Sequence, residues 1–451
     1  MESGHHGGMK GLDTYGLPVQ PRGGARASIA TYRATVADTD AATKRRHVLL
    51  APNAFKGTLT AVQACAAMAA GVRRAWPTAT VTALPLADGG DGFLDTVVSA
   101  HGGRTTRHLV PGPLLVEPVW APIGWLAEPD RQTAVIELAT AAGIALIRSP
   151  NPVTAGTAST RGLGVLIQAC LRRSPNKILV GIGGSASSDG GAGMARALGY
   201  RFLREDGSEI PEGGLGLLEL DHIDDSLVDP RLAAVEVLVG CDVTNPLLGP
   251  LGSASTYGPQ KGADAATVAR LEEGLARLAA VVRRDLGKCR PEQVPGSGAG
   301  GGAGFGLVAF CGARLSPGVQ LVADACDLDG RLSVADLVMT GEGRFDLQSL
   351  RGKVPGEVAH RASRLRTACF IIAGSSETEA RLAAQTLGVH LLDTNTDVTV
   401  LDPGDPRELA RMRRRARAGL RRAAMYACSL ADELISHKPD YDNGGSIELG
   451  P

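Results

Sequence analysis

The sequence predicts an α/β fold in which parallel strands alternate with helices. Short apolar runs, such as residues 48–52 and 177–182, each lead into a helix-like run, which is the rhythm of right-handed βαβ units. The 59 Gly and the aromatic content of only 4% favour many tight strand–helix turns over a β-sandwich. Because 451 residues exceed one ordinary hydrophobic core, we expect two domains.

Strands and helices follow one another through the first two thirds of the chain. Pro77 ends the first amphipathic helix, and the five prolines of segment 105–137 predict a β-rich insertion or sheet edge. The predicted strands are 48–52, 81–85, 177–182 and 235–241, and the predicted helices are 60–76, 191–198 and 265–286.

The last third begins with a Gly-, Pro- and Ser-rich stretch, residues 291–304, which is typical of a hinge between domains. A helix over 306–313, strands over 336–340, 370–373 and 390–392, and a helix over 407–435 follow. The last helix is rich in Arg, which is also a property of nucleic-acid arms. Its apolar stripe favours the packed face of an amphipathic helix instead; the stripe comprises Leu420, Ala424, Cys428 and Ala431.

Composition narrows the functional class. Lys and Arg together number 47, as do Asp and Glu, so no net charge attracts the chain to nucleic acid or to a membrane. The sequence contains no uninterrupted run of about 18 apolar residues, so it predicts no membrane-spanning helix. The eight Cys include no C-x-x-C pair, which favours reduced thiols in a cytoplasmic protein. Residues 1–46 are polar and Gly-rich and predict a disordered tail.

The most informative segment is residues 181–191, a Gly- and Ser-rich turn between a predicted strand and a predicted helix. Gly183, Gly184, Ser185 and Ser187 offer N–H and hydroxyl donors to an anion, and the helix N-terminus adds a positive partial charge. Asp189 adds a carboxylate, which would repel a phosphate unless a metal ion or a transferring proton lies between them. This combination favours phosphoryl transfer, although a simple helix cap would also explain Asp189.

Charged side chains recur in other turns at predicted strand ends, where open parallel sheets bind ligands. A surface lysine, a helix cap and a structural ion pair are the alternatives for these turns. The candidates are Lys56 after the first strand, Asp88 and Asp91 after the second, Asp242 and Asn245 after 235–241, Lys261 in a Gly turn, and Glu342, Arg344, Asp346 and Lys353 after 336–340.

Motifs of other enzyme classes are missing from the sequence. It contains no H-E-x-x-H and no Walker A motif, and no strand precedes the loose G-x-G-x-x-A match at Gly298, Gly300 and Ala303. An NAD-dependent dehydrogenase would carry G-x-G-x-x-G after the first strand, where residues 52–57 do not supply it. The set of anion-binding turns, carboxylates and lysines fits a Mg²⁺-dependent phosphate transfer to a small acidic or hydroxylated substrate.

Taken together, these turns resemble the bacterial glycerate kinase family, the group related to enzymes of glucarate and glyoxylate breakdown. Six short motifs occur in the family's order between about residue 47 and about residue 435: 51–57, 85–90, 181–193, 241–247, 258–262 and 340–344. The resemblance implies ATP-dependent phosphorylation of D-glycerate, usually to 2-phosphoglycerate. Asn53 and Ala54 stand where the family often has Asp and Ser, and Leu347 stands where it often has Ser or Gly. These departures concern substrate preference more than kinase chemistry.

The resemblance also implies a domain plan with a cleft. A Rossmann-like domain is built from both chain ends (47–86 and 291–435), an α/β domain (87–290) is inserted, and tails occupy 1–46 and 436–451. With ATP as co-substrate and Mg²⁺ as cofactor, the expected roles are as follows: Asp189, Lys56 and Arg344 catalyse; Asp242, Glu342 and Asp346 hold the metal; Asp88, Gly183, Gly184, Ser185, Ser187, Asn245, Lys261 and Lys353 bind the substrates.

Two further possibilities stay open at this stage. A phosphate- or organic-acid-binding protein on the same fold, without catalysis, is the main alternative to a kinase. Its weakness is the number of acidic residues, which phosphate binding alone would not favour. D-glycerate and ATP are the expected partners, no nucleic acid or membrane is expected, and a homodimer is left open.

Overall fold

Two separate sheets form the framework of the protein, as a computed structural model shows. The structure describes residues 45–55, 57–87, 92–126, 133–394 and 406–436. The strands are β1 His47–Leu50, β2 Thr80–Ala83, β3 Arg104–Pro111, β4 Pro118–Leu126, β5 Thr133–Glu137, β6 Lys177–Gly181, β7 Arg201–Leu203, β8 His222–Asp224, β9 Glu236–Gly240, β10 Arg314–Ser316, β11 Leu337–Phe345, β12 Ala368–Ser376 and β13 His390–Asp393.

Helices alternate with these strands, as the sequence predicts. They are α1 Ala61–Ala75, α2 Phe93–Ala100, α3 Leu138–Ala142, α4 Pro152–Thr157, α5 Arg161–Leu171, α6 Ala192–Ala197, α7 Ser253–Tyr257, α8 Ala265–Leu286, α9 Ala299–Cys311, α10 Gly318–Ala325, α11 Leu328–Ser333, α12 Leu347–Leu350, α13 Val354–Leu365, α14 Thr378–Thr386 and α15 Pro406–Ser436. The predicted α/β class is confirmed.

The first sheet is wholly parallel and has the order β13-β12-β11-β1-β2. Its strands come from two distant parts of the chain, because β1 pairs with both β2 and β11. Helices α1 and α15 cover one face, where Met68 and Leu420 pack against Val48 and Phe370. The strand order reverses between β1 and β11, and such a reversal opens a crevice at the carboxyl ends of those two strands.

The second sheet has the order β10-β9-β6-β5-β4-β3. Strands β5, β6, β9 and β10 are parallel, whereas β3 and β4 are antiparallel and form one edge. The predicted β-rich edge in segment 105–137 is therefore confirmed. Helices α5, α6, α8 and α9 bury their apolar residues in one core cluster with this sheet.

A second core cluster joins the two sheets. Val135 and Leu179 of the second sheet belong to the same buried cluster as Leu49 and Ile371 of the first sheet, with Val319 of α10 among them. Hydrophobic burial thus ties the two sheets together through the helices between them. No helix within the described ranges is apolar over enough length to cross a bilayer.

One predicted boundary differs from the structure. Residues from 291 onward were expected to belong with the sheet made from both chain ends, and 291–304 to act as a hinge. Instead, β10 pairs with β9 of the second sheet, and Ala303 and Phe305 are buried in that sheet's core. The reason is that segment 299–311 is apolar all round, so it packs inside a core instead of spanning two domains.

Helix α15 provides a test of this packing. Leu420 is 1% exposed between α15 and the first sheet, so Leu420→Ala should leave a cavity and lower the free energy of unfolding by about 2–4 kcal/mol. Tyr426 lies on the same helix but is 57% exposed, so Tyr426→Ala should change the free energy of unfolding by less than about 0.5 kcal/mol. Urea unfolding followed by circular dichroism measures both, and equal effects would contradict the packing of this helix.

Candidate active site

The crevice of the first sheet lies where β1 and β11 end. The backbone N–H of Asn53 donates to the carbonyl of Gly341 at 2.9 Å, and the hydroxyl of Thr340 donates to the carbonyl of Ala51 at 2.7 Å. The segment that follows β1 therefore lies beside the middle of β11. Lys56, which the sequence predicts to be catalytic, belongs to this segment but lies outside the described residues.

The charged residues predicted for the turn after 336–340 lie on β11 or directly after it, and they already have protein partners. Arg344 donates to Glu377 at 2.8 Å, and its side chain is 73% exposed. Asp346 caps α12 by accepting from Ser349, and Lys353 lies 3.3 Å from the same carboxylate oxygen. Burial raises the pKa of Asp346, but the hydrogen bonds from Ser349 and the charge of Lys353 outweigh it and bring the pKa below its usual value. Glu342 is buried.

A cavity of about 470 Å³ opens at the carboxyl ends of β6 and β9 in the second sheet. Its size is that of an ordinary small-molecule site. Three chain segments that are distant in sequence meet there: residues 182–185, residues 240–243 and residues 299–301. The lining residues are Ile144, Ile182, Gly183, Gly184, Ser185, Gly240, Cys241, Asp242, Val243, Tyr257, Gln260, Lys261, Ala299, Gly300 and Gly301.

Lys261 brings a cationic group to this cavity. It ends a short 3₁₀ helix, Pro259–Lys261, and Gly262 follows with φ +93°, a left-handed conformation that suits glycine. The amine donates to the hydroxyl of Ser185 at 3.2 Å and to the carbonyl of Ser187. Only 3% of the residue is exposed. This burial lowers the pKa of the amine to about 7, although the charge of Asp189 acts in the opposite direction.

Gly300 and Gly301 line the cavity next to Lys261, and sequence reasoning did not identify these glycines or the adjacent Gly302 as part of a site. Gly300, Gly301 and Gly302 have φ angles of +63°, +73° and +83°. A Cβ atom on Gly301 would lie 1.7 Å from the carbonyl oxygen of Ser187 and 2.6 Å from the amine of Lys261. Glycine is therefore required at 301 by both conformation and space. The run of glycines was the available signal, but it was interpreted as a hinge.

Asp189 does not lie where the prediction of a catalytic base requires it. It is completely buried and does not line the cavity. Its carboxylate accepts hydrogen bonds from the N–H and the hydroxyl of Thr160, both at 2.8 Å, and from the N–H groups of Gly191 and Gly193, both at 3.1 Å. Burial raises the pKa of this carboxyl group, and these hydrogen bonds oppose the rise. Asp189 thus ties the Gly-rich loop to α5 and α6.

Asp242 is the acidic residue that does line the cavity. It follows β9 directly, and one carboxylate oxygen accepts the N–H of Gly318 at the start of α10 at 2.8 Å. Asn245 lies behind the wall: its amide donates to the carbonyl of Leu251, and its oxygen accepts the hydroxyl of Tyr257 at 2.8 Å. Asn245 thereby positions Tyr257, whereas Asp242 faces the cavity.

The predicted metal set is not brought together. Asp242 lies at the cavity of the second sheet, whereas Glu342 and Asp346 lie on and after β11 of the first. In the part of the chain that the structure describes, no three His, Cys, Asp or Glu side chains are grouped as a metal site. The expectation failed because sequence order says which strand ends carry acids, but not how far apart two sheets hold them. Asp88 lies outside the described residues.

The described residues on either side of segment 88–91 lie at carboxyl ends of strands in the two sheets. The N–H of Leu86 donates to the carbonyl of Pro52 beside the end of β1. Eight residues later, at the start of α2, the N–H of Leu94 donates to the carboxylate of Glu137, the last residue of β5, at 2.8 Å. Leu86 and Leu94 therefore lie at the carboxyl edges of different sheets.

This arrangement suits a phosphorylated ligand. Two glycine-rich segments allow a close approach to backbone N–H groups, a buried amine offers positive charge, and Asp242 provides a carboxylate beside them. Ser185 and Ser187 act mainly inside the protein, since the hydroxyl of Ser185 donates to the carbonyl of Gly300 at 2.8 Å and Ser187 is fully buried.

Comparisons with known proteins agree with this chemistry. The profile of the family described as the glycerate kinase family matches residues 48–424. A glycerate kinase from Halalkalibacterium halodurans is 44% identical over 332 residues, which cover 73% of this chain and 85% of the relative. A glycerate 2-kinase from Escherichia coli is 41% identical over 328 residues, with 73% and 85% coverage. A crystal structure attributed to glycerate kinase 2 from Salmonella typhimurium LT2 superposes with a TM-score of 0.74 at 37% identity, covering 87% of this chain and 100% of that one.

The structural role of Asp189 can be tested by Asp189→Asn. An amide cannot accept at both oxygen positions, so at least one of the four hydrogen bonds is lost and two donors face each other. We expect the free energy of unfolding to fall by about 1–3 kcal/mol in a urea titration. Asp206→Asn, in an exposed turn, is the matched control and should change it by less than about 0.5 kcal/mol. An Asp189→Asn protein as stable as wild type would refute this role.

Proposed function

This chain belongs to the glycerate kinase family, and on that premise we propose that it transfers the γ-phosphate of ATP to D-glycerate and forms 2-phosphoglycerate. The observation that carries the proposal is the cavity between residues 183–185 and 299–301, with the amine of Lys261 and the carboxylate of Asp242 in its wall. A buried cation beside glycine-rich backbone is what a transferring phosphoryl group needs.

Positioning and charge neutralisation are sufficient for this reaction. Phosphoryl transfer has a loose transition state, so the protein mainly holds the acceptor hydroxyl in line with the γ-phosphate and stabilises the charge on its oxygens. Lys261 would interact with those oxygens, while Gly183 and Gly184 let the phosphates approach the backbone. Asp189 would act indirectly by holding the loop that carries these glycines.

Mg²⁺ would be held on the Asp242 side of the cavity. In kinases this ion keeps several waters and takes one or two carboxylates together with substrate phosphates, so the carboxylate of Asp242 fits it. When bound, it would offset negative charge on the phosphates. Glu342 and Asp346 are not needed for this donor set, because they belong to the other sheet.

The turns after β1 and β11 would complete the site from the first sheet. Lys56 and Arg344 are proposed to neutralise the carboxylate of D-glycerate or the nucleotide phosphates, and Asp88 to contact a substrate hydroxyl. The two sheets would act as two domains, one made of residues 47–86 with 317–435 and one of 87–316. Their approach would exclude water and limit hydrolysis of ATP.

Asp242→Asn tests the proposed chemistry. Asparagine can keep the hydrogen bond to the N–H of Gly318 while losing the negative charge, so the fold should be retained. We expect kcat for D-glycerate-dependent ADP formation to fall about 100-fold or more. Asp225→Asn, on the exposed loop after β8, is the matched control and should leave kcat unchanged.

The product of the wild-type reaction is identified by phosphorus NMR, with 2-phosphoglycerate expected. ATP consumption that does not depend on D-glycerate, or binding of both compounds without turnover, would reject the kinase proposal. The second of these results would favour the binding-protein alternative.

A further inference from the structure

Lys261 is an unusual lysine because its amine lies in the protein interior and still lines a cavity. An ammonium group has three N–H donors. Two directions are occupied by the hydroxyl of Ser185 and the carbonyl of Ser187. Both of these acceptors are uncharged, and Lys261 forms no ion pair within the described ranges. A third donor is therefore available for a ligand in the cavity.

Among the residues that the structure describes, few charged or titratable groups surround this amine. Asp189 is the acidic residue whose charge acts on Lys261, but its carboxylate is held by four other donors. From β9 and the residues after it, Cys241 and Asp242 face the cavity, and Tyr257 faces it from α7. The segment 299–301 contributes no ionisable side chain. Burial raises the pKa of both Cys241 and Tyr257, so neither is expected to lose a proton near neutral pH.

The amine of Lys261 packs closely against the backbone of Gly301. Any side chain at Gly301 would collide with it, and the adjacent backbone is in the left-handed region. The amine's hydrogen bonds to Ser185 and Ser187 hold it at this position, and a neutral amine keeps two N–H donors for them. A dianion entering the cavity meets a fixed nitrogen in a poorly hydrated environment, where an opposite charge interacts strongly.

We propose that the amine of Lys261 is the anion-binding group of this cavity and takes up one proton from solution when a phosphate or sulfate dianion binds. The inference rests on the proposed function only for the identity of the natural anion, which is a phosphate of the nucleotide or of the phosphorylated product. Anion binding and proton uptake are then one linked event.

The direction of the pH dependence follows from burial. In the free protein burial holds the pKa of Lys261 near 7, so above this pH the amine is mostly neutral. A bound dianion favours the charged form and raises that pKa. Anion affinity should therefore be constant below pH 7 and fall by up to about tenfold for each pH unit above it, because each anion must bring a proton with it.

Sulfate is the suitable probe, because it remains a dianion across the whole range, whereas phosphate titrates near neutral pH. The experiment is isothermal titration calorimetry of the full chain with sulfate at about pH 6 and about pH 8.5, each in two buffers of different ionisation enthalpy. The buffer dependence of the heat counts protons. We expect about one proton taken up per sulfate at the higher pH and almost none at the lower.

Two substitutions of Lys261 distinguish the effect of its positive charge on sulfate binding from the effect of its proton uptake. Lys261→Arg keeps a cation that does not lose its proton, so it should bind sulfate at both pH values without proton uptake. Lys261→Met keeps the length but not the charge, and should weaken sulfate binding about tenfold or more at pH 6. Lys177→Met, at a 40% exposed side chain at the start of β6, is the control and should behave as wild type. Circular dichroism confirms folding of each variant.

Several results would overturn the inference: no sulfate binding by wild type, sulfate binding without proton uptake at pH 8.5, or unchanged uptake in Lys261→Met. ADP and 2-phosphoglycerate are then titrated against sulfate, and displacement by either one identifies the natural anion. Displacement by neither would also count against the inference. Glycerate-dependent turnover without proton uptake would reject this inference alone, whereas proton uptake without turnover would reject the proposed kinase activity alone.

Discussion

The carboxylate of Asp189 is the interaction on which the candidate site depends. Its four hydrogen bonds join the loop after β6 to the starts of α5 and α6. That loop in turn presents the hydroxyl of Ser185 and the carbonyl of Ser187 to Lys261. A buried carboxylate is costly unless donors surround it, and here the donors are Thr160, just before α5, and Gly191 and Gly193 at the start of α6. These hydrogen bonds hold the loop that presents Ser185 and Ser187 to Lys261, and so they maintain the geometry of the anion site.

The same logic explains the crowding of glycine around the cavity. The loop after β6 and the start of α9 approach so closely that a methyl group on Gly301 or Gly191 would meet backbone atoms. Close backbone contact between two loops leaves little water beside Lys261. A cation with little water around it has a strong preference for an anionic ligand. The close approach of these two segments therefore accounts for the glycines, for the low hydration of Lys261 and for its preference for an anionic ligand.

The sequence predicted the packed face of the last helix and part of the candidate site, and the predictions that differ from the structure have identifiable physical reasons. The apolar stripe of the last helix was predicted correctly, since Leu420, Ala424, Cys428 and Ala431 are all buried. Lys261 and Asp242 were identified as candidates from their turns, and both line the cavity. The prediction that Asp189 is a base was wrong in its geometry, because a strand–helix turn rich in donors looks the same whether its carboxylate points outward or inward.

The sequence by itself determined the alternation of strands and helices, the family and most of the polar turns, because periodicity and local turn chemistry are properties of neighbouring residues. Only the tertiary structure decided which turns share a site. Gly300 and Gly301 became part of the cavity wall through their packing against residues 182 and 187, more than 100 positions away. Asp242 was separated from Glu342 because the chain places them on different sheets. Such distances depend on long-range packing, which no short motif encodes.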